Sequence, residues 1–215
     1  MRINKFVALA TGMSRRGADA AVNEGRVTIN GQAPEVGQLV KETDSVALDN
    51  RSITTPVKTQ TVVFNKPAGY VCSRSGQGSK TIYDLLPAEL HNLKPVGRLD
   101  KNSSGLLLLT NNGELAHKLT HPSFQKEKVY EVELDRPLDE TDKHNIELGV
   151  QLEDGLSKLG LSGSGKSWIV KMSEGRNRQI RRTFKAMDYE VQRLNRVRFG
   201  SYSLGDLAPG SCKEL

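Results

Sequence analysis

At 215 residues, with 36% hydrophobic and 26% charged side chains, the chain has the composition of a folded globular protein, which excludes a disordered polyelectrolyte. No apolar run approaches the ~18 to 20 residues of a membrane-spanning helix. The start lacks the apolar stretch and cleavage site of a signal peptide, and Cys72 and Cys212 lie too far apart for a disulfide framework, so a cytoplasmic protein with no membrane partner is the expectation. The net charge of +6 is unevenly placed, because Lys166 to Arg198 holds ten basic and three acidic residues, or +7. Such a stretch fits a polyanion-binding surface or, failing a partner, a solvated basic face.

Residues 1–49 read as a compact unit. Ile3, Phe6, Val7 and Ala10 form a short helical stripe that stops at Thr11-Gly12. Ser14 then predicts the N-cap of a helix through Asn23, with Gly25 as its stop. Val27 and Ile29 alternate with polar residues, Asn30-Gly31 signals a hairpin turn, and Val46 to Leu48 predicts a closing strand. Arg15 and Arg16 stand where the helix dipole prefers negative charge. That suits a phosphate held at the helix start, or two solvated arginines. Residues 50–60 have no periodicity and contain Pro56, the composition of a linker.

From residue 61 to residue 215 the texture is that of a second domain. Strands are predicted over Thr61 to Asn65, Gly105 to Thr110, Lys128 to Leu134 and Ser167 to Met172. Helices are predicted over Gly113 to Thr120, Leu138 to Leu148 and Asn177 to Met187, the last of them basic. The mixture predicts an α+β fold with a mixed, mainly antiparallel sheet and flanking helices.

Two motif-like patterns fail on context. Gly160 to Ser167 fits the phosphate-binding expression G-x-x-x-x-G-K-[ST], but a polar stretch precedes it and the strand-like Trp168-Ile169-Val170 follows. The chemistry of that motif needs a buried strand before it and a helix after it, so the glycines and serines read as a turn between strands and no nucleotide cofactor is expected. His117 and His121 have helical i, i+4 spacing, yet Pro122 ends the helix and no acidic partner lies at a ligand-like spacing. No metal is expected.

The stretch Gly97-Arg98-Leu99-Asp100-Lys101-Asn102-Ser103-Ser104-Gly105 places one carboxylate on a short polar loop, just before a leucine-rich strand. By turn chemistry alone Asp100 is a cap or turn residue. A rigid strand holding a loop carboxylate is also a way to build a catalytic site. Tyr130 falls in a strand of a chain with 5% aromatic residues, and Arg176 and Arg178 crowd a helix start.

Four ordered motifs carry a resemblance to a known family: Asn65-Lys66-Pro67-x-Gly69, Gly97-Arg98-Leu99-Asp100, Lys128-x-Tyr130, and Gly175-Arg176-Asn177-Arg178-Gln179-Ile180-Arg181-Arg182. Together they resemble the RsuA/RluB/RluE/RluF family of ribosomal RNA pseudouridine synthases. Residues 1–49 resemble the RNA-binding domain named after ribosomal protein S-four. Thr183 and Asp188 depart from the family pattern, which has an apolar residue and a glycine there.

The resemblance implies isomerisation of uridine to pseudouridine in ribosomal RNA, with no cofactor and no metal. It makes Asp100 the catalytic aspartate, Tyr130 the active-site tyrosine and Arg181 the basic partner of Asp100, with apolar Ile180 beside it. Arg98, Ile180, Arg176, Arg178 and Lys66, with Arg15 and Arg16 of the first unit, are then expected to hold the substrate. An ion pair would keep Asp100 charged, Tyr130 would receive a base turned out of its stack, and arginines at a helix start would grip flanking phosphates. Asp100 acts either as a nucleophile at the sugar or as a base toward its 2′ hydrogen. The partner is ribosomal RNA or a ribosome assembly intermediate, with the large subunit weakly preferred over the small one, and the chain is expected to be a monomer. The competing reading is an inactive RNA-binding or ribosome-assembly protein.

Overall fold

In a computed structural model, residues 1–55 and 59–215 are described, and the chain divides into two units, Met1–Thr59 and Gln60–Leu215. In the first, α1 (Ile3–Thr11) ends at Gly12 in the left-handed conformation. Helix α2 (Arg15–Asn23) is capped by Ser14, whose Oγ accepts a 2.9 Å bond from the Gly17 amide. Strands β1 (Val27–Ile29), β2 (Val46–Leu48) and β3 (Arg51–Ser52) form an antiparallel sheet in that order. Ile3, Val7, Ala18, Ala21, Val27 and Val46 close a small core of their own.

Strand β3 lies inside the segment read as a linker. Asp49 and Asn50 both adopt positive φ, which turns the chain back so that Arg51 pairs with Leu48. Short polar side chains tolerate this conformation, and no glycine marks it in the sequence. Pro56 lies outside the described residues.

The second unit runs β4 (Thr61–Lys66), β5 (Lys94–Val96), β6 (Ser104–Thr110), α3 (Gly113–Thr120), β7 (Lys128–Leu134), α4 (Glu140–Leu148), β8 (Val150–Leu152), β9 (Gly155–Ser157), β10 (Gly160–Ser164), β11 (Ser167–Met172), α5 (Gln179–Lys185), β12 (Val191–Phe199), β13 (Tyr202–Ser203) and β14 (Cys212–Glu214). The main sheet has the order β10-β11-β7-β12-β6-β4-β14, with β13 beside β12 and β5 beside β6. Only β12 and β6 pair in parallel, so the sheet is mixed and mainly antiparallel, as predicted. Strands β8 and β9 form a separate hairpin.

The continuous apolar run of β6 follows from its place between two cores. Leu107 and Leu109 pack with Phe64, Tyr130 and Phe184 in one core. Leu106 and Leu108 pack with Val63, Val96 and Phe199 in the other. All four leucines are fully buried, which stabilises by about 1.5–3 kcal/mol per side chain before the entropic cost of ordering. At its start, Gly105 has φ +101°, and a Cβ there would lie 2.3 Å from the Arg196 carbonyl oxygen. Only glycine lets β6 and β12 approach so closely.

Four local readings shift. Helix α4 starts at Glu140 rather than Leu138, because the Asp139 side chain caps it through the Thr141 amide. Helix α5 spans less than the predicted Asn177 to Met187, bounded by Arg178 and Asp188 at φ +48° and +64°. Asp188 thus takes the left-handed position where the resembled family has glycine. The G-x-x-x-x-G-K-S stretch is a β10–β11 hairpin in which the turn shrinks to Gly165-Lys166, since Ser164 already pairs with Ser167. Finally, β12 escaped the periodicity reading: its arginines dominate the composition, although Leu194 and Arg196 face inward.

Candidate active site

The loop before β6 carries Asp100 and is fixed from four directions. Lys66, fully buried at the end of β4, points its Nζ at three backbone oxygens: Ser103 at 2.8 Å, and Asp100 and Pro67 at 3.1 Å each. The Gly69 amide donates to the Lys101 carbonyl at 2.7 Å. Cys72 Sγ lies 3.3 Å from the Leu99 carbonyl and 3.4 Å from its amide. Arg181 donates from Nη2 to the Asn102 carbonyl at 2.8 Å and from Nη1 to Val191 at the start of β12. The loop backbone is thereby immobilised while the Asp100 side chain stays about one-third exposed. Burial pushes the Lys66 ammonium below its usual range, while the Cys72 and Asp100 charges act the other way.

This loop lines a cleft of about 1110 Å³ in the second unit, together with residues from β7, β12 and the segment leading into α5. Of the residues singled out in the sequence, Arg98, Asp100, Tyr130, Arg176, Arg178 and Ile180 line it together. Tyr130 is largely buried and sits across from Arg196 of β12 and Val170 of β11. Arg15 and Arg16 belong to the other unit, where Arg15 reaches Asn4 Oδ1 at 3.3 Å.

Three expected roles are corrected. The ion pair at Asp100 is made by Arg178, with Nη1 at 3.9 Å from Oδ2, and not by Arg181. Arg181 spends its guanidinium on two carbonyls and senses Asp100 only as a nearby charge. Arg176 does not offer itself to a phosphate. It pairs with Asp154 and Glu174 at 3.0 Å each and donates to the carbonyls of Asp154, Gly155 and Leu156. Asp154 also takes a two-pronged contact from Arg182, so this part of the basic stretch is neutralised internally. Lys66 is a buried clamp and not a substrate contact, since burial and three carbonyls leave it no reach into the cleft.

The departure at Thr183 is also explained. Its hydroxyl, fully buried on α5, meets Ser157 Oγ at 2.8 Å and donates to the Gln179 carbonyl, and Gln179 Nε2 donates to the same serine. A small polar network thus accommodates a threonine at this buried position.

Several cleft residues were given no role in the sequence reading. Lys128 uses Nζ on the carbonyls of Lys126, Ser173 and Glu174, so it tethers the segment before α5 as Lys66 tethers the Asp100 loop. Burial, and then the Arg196 charge, lower its basicity. Arg196 is buried, donates from Nε to the Leu106 carbonyl at 2.8 Å and lies over the Phe199 ring at 4.9 Å. Among the described residues, Arg196 Nη2 and Ser103 Oγ are buried without hydrogen-bond partners, and both residues line the cleft. The two-residue alternation of Leu194 and Arg196 was the available signal. No group of three or more potential metal ligands occurs among the described residues.

The arrangement offers a loop carboxylate, an aromatic wall and several cations in one cleft, which suits work on a nucleotide within a polyanion. A model of the RNA pseudouridylate synthase family matches residues 60–186. All of this chain is 36% identical to an "Uncharacterized RNA pseudouridine synthase" of Aquifex aeolicus, covering 90% of that protein. Some 94% of it is 37% identical to ribosomal large subunit pseudouridine synthase B of Yersinia pestis, covering 68% of that protein. A crystal structure of a pseudouridylate synthase covers all of this chain at 30% identity, with a TM-score of 0.72 and 96% of that chain matched. The chain belongs to the RNA pseudouridylate synthase family.

Proposed function

We propose that this enzyme isomerises uridine in ribosomal RNA of the large subunit, with Asp100 as the reacting carboxylate. The observation that carries this reading is the rigid loop that presents a partly exposed Asp100 in the same cleft as Tyr130. Relatives named for the large ribosomal subunit support the substrate class.

The reaction breaks the N1–C1′ bond, turns the uracil and joins C5 to C1′, with C5 giving up its proton to solvent and N1 taking one from it. Asp100 attacks C1′ or removes the 2′ hydrogen, and either role needs it ionised. Arg178 sets its guanidinium 3.9 Å from the Asp100 carboxylate. Tyr130 stacks on the extruded base, and in this reading its hydroxyl assists proton removal at C5. Arg181, Lys66 and Lys128 act by holding the loops that carry these groups. Arg98 and Arg178 contact the RNA backbone, and Ile180 packs beside the base. The first unit binds RNA through Arg15 and Arg16 at the exposed start of α2.

The test uses large-subunit ribosomal RNA transcripts carrying tritium at uridine C5. Isomerisation must release that label, and Asp100→Asn is expected to abolish release while leaving RNA binding largely intact. Binding by the wild type without release from any transcript or assembly intermediate would reverse the assignment in favour of an RNA-binding role.

A further inference from the structure

The corner after α3 has no part in the chemistry above, yet its surface is unusual. Of the Phe, Tyr and Trp side chains among the described residues, Phe124 alone is exposed, at 43%. It meets two exposed histidines edge-on, with ring centroids 5.9 Å from His117 and 6.2 Å from His121, and the two imidazoles lie 4.8 Å apart. His121 Nδ1 is held by Ser123 Oγ at 2.8 Å, which fixes the cluster in place. An apolar ring kept in water and braced by its neighbours is organised for a partner.

The position of the cluster names that partner. Of the three rings, His121 lines the same cleft as Asp100, together with Thr120, Pro122, Gln125 and Lys126, and His117 and Phe124 stand against His121 outside that lining. The lining of this open cleft runs from the Asp100 loop to the corner after α3. Lys126 adds positive charge here, whereas the nearby Glu127 is engaged by Arg198.

We infer that His117, His121 and Phe124 form a stacking platform for an unpaired nucleobase next to the target uridine. The inference rests on the RNA-modifying reading above and deepens it: the substrate is a single-stranded or looped segment with at least two bases unstacked. Aromatic faces accept any base, so the platform grips a flanking nucleotide and leaves sequence choice to other contacts.

Two measurements on the full chain test this. With a large-subunit ribosomal RNA transcript, Phe124→Ala and the double variant His121→Ala, Phe124→Ala are expected to raise KM about five- to tenfold with kcat nearly retained. The melting temperature should stay unchanged, because the side chains are exposed. Separately, p-benzoylphenylalanine in place of Phe124 should crosslink to the transcript within a few nucleotides of the pseudouridine, mapped by primer extension. Wild-type KM in both variants, or crosslinks only at remote sites, would overturn the platform while the modifying activity stands. A wild type that releases no label removes the activity and the platform together.

Discussion

Lys66 grips Asp100 by its backbone: Nζ lies 3.1 Å from the Asp100 carbonyl oxygen, which leaves the carboxylate to Arg178 and the cleft. The two lysines that flank the cleft work alike, each spreading one ammonium over three carbonyls. Charge is used here to fix geometry.

Lys66→Met should therefore be costly in two ways. It keeps the length of the side chain but takes a donor from three carbonyls, of which Asp100 retains the Ser103 amide, at about 1–3 kcal/mol of stability by the usual penalty for unsatisfied groups. The kcat should fall further than stability explains, measured by label release well below the melting temperature. Full activity in Lys66→Met would show that the loop holds itself.

Burial lowers the basicity of both lysines below the usual 10.5. The kcat should consequently decline at alkaline pH before ordinary lysines titrate. The linkage has the opposite sign for stability. Between the depressed folded value and 10.5 the native state binds fewer protons than the unfolded chain, so these groups make folding more favourable as pH rises. A kcat profile run beside urea midpoints separates the two. Activity flat up to pH 10.5 would contradict the clamp.

Arg178 and Arg181 should separate cleanly. Arg178 holds φ +48°, a strained conformation that glycine adopts freely, and its ion pair is half-exposed and long. Arg178→Gly should leave stability equal or raise it by up to about 1 kcal/mol while activity drops. Arg181→Lys cannot fork across Asn102 and Val191, so it should lose about 1–2 kcal/mol of stability along with kcat. Equal stability effects at the two positions would refute this division of labour.

Thr183→Val removes one hydroxyl from a sealed network at nearly constant volume. Ser157 keeps Gln179 as a partner, so the expected cost is about 1–2 kcal/mol by chemical denaturation. A stabilised variant would mean that the network is dispensable.

In the first unit, replacing Arg15 and Arg16 with serine should weaken RNA binding at low salt. The slope of log affinity against log salt should become shallower by about 2. An unchanged slope would remove α2 from the interface.

The candidate site was legible in the sequence only through the motifs of the resemblance, since turn chemistry alone makes Asp100 a cap or turn residue. Asp100 and Tyr130 follow from motif residues on a loop and a strand, and α3, β7 and β11 match their predicted ranges because clear period and turn signals bound them. Partners were harder to read. Arg178, the residue just before α5, takes the ion pair expected of Arg181, because the left-handed turn at Arg178 redirects the chain. Arg176 looks free in a basic run, but Asp154, 22 residues away, reaches it through tertiary structure alone. Strand β12 was concealed by its own arginines, and β3 by a turn made without glycine.

The anchors of the Asp100 loop arrive from widely separated parts of the chain: Lys66 34 residues before the aspartate, and Arg181 79 residues beyond Asn102. Lys66, Gly69 and Cys72 precede the loop, and Arg181 alone of the four anchors comes from the later part of the chain. During synthesis and folding the aspartate exists long before it is aimed, and aiming waits until α5 and β12 are seated. Catalytic competence is thereby tied to completion of the fold, so a partly folded chain that meets RNA is unarmed.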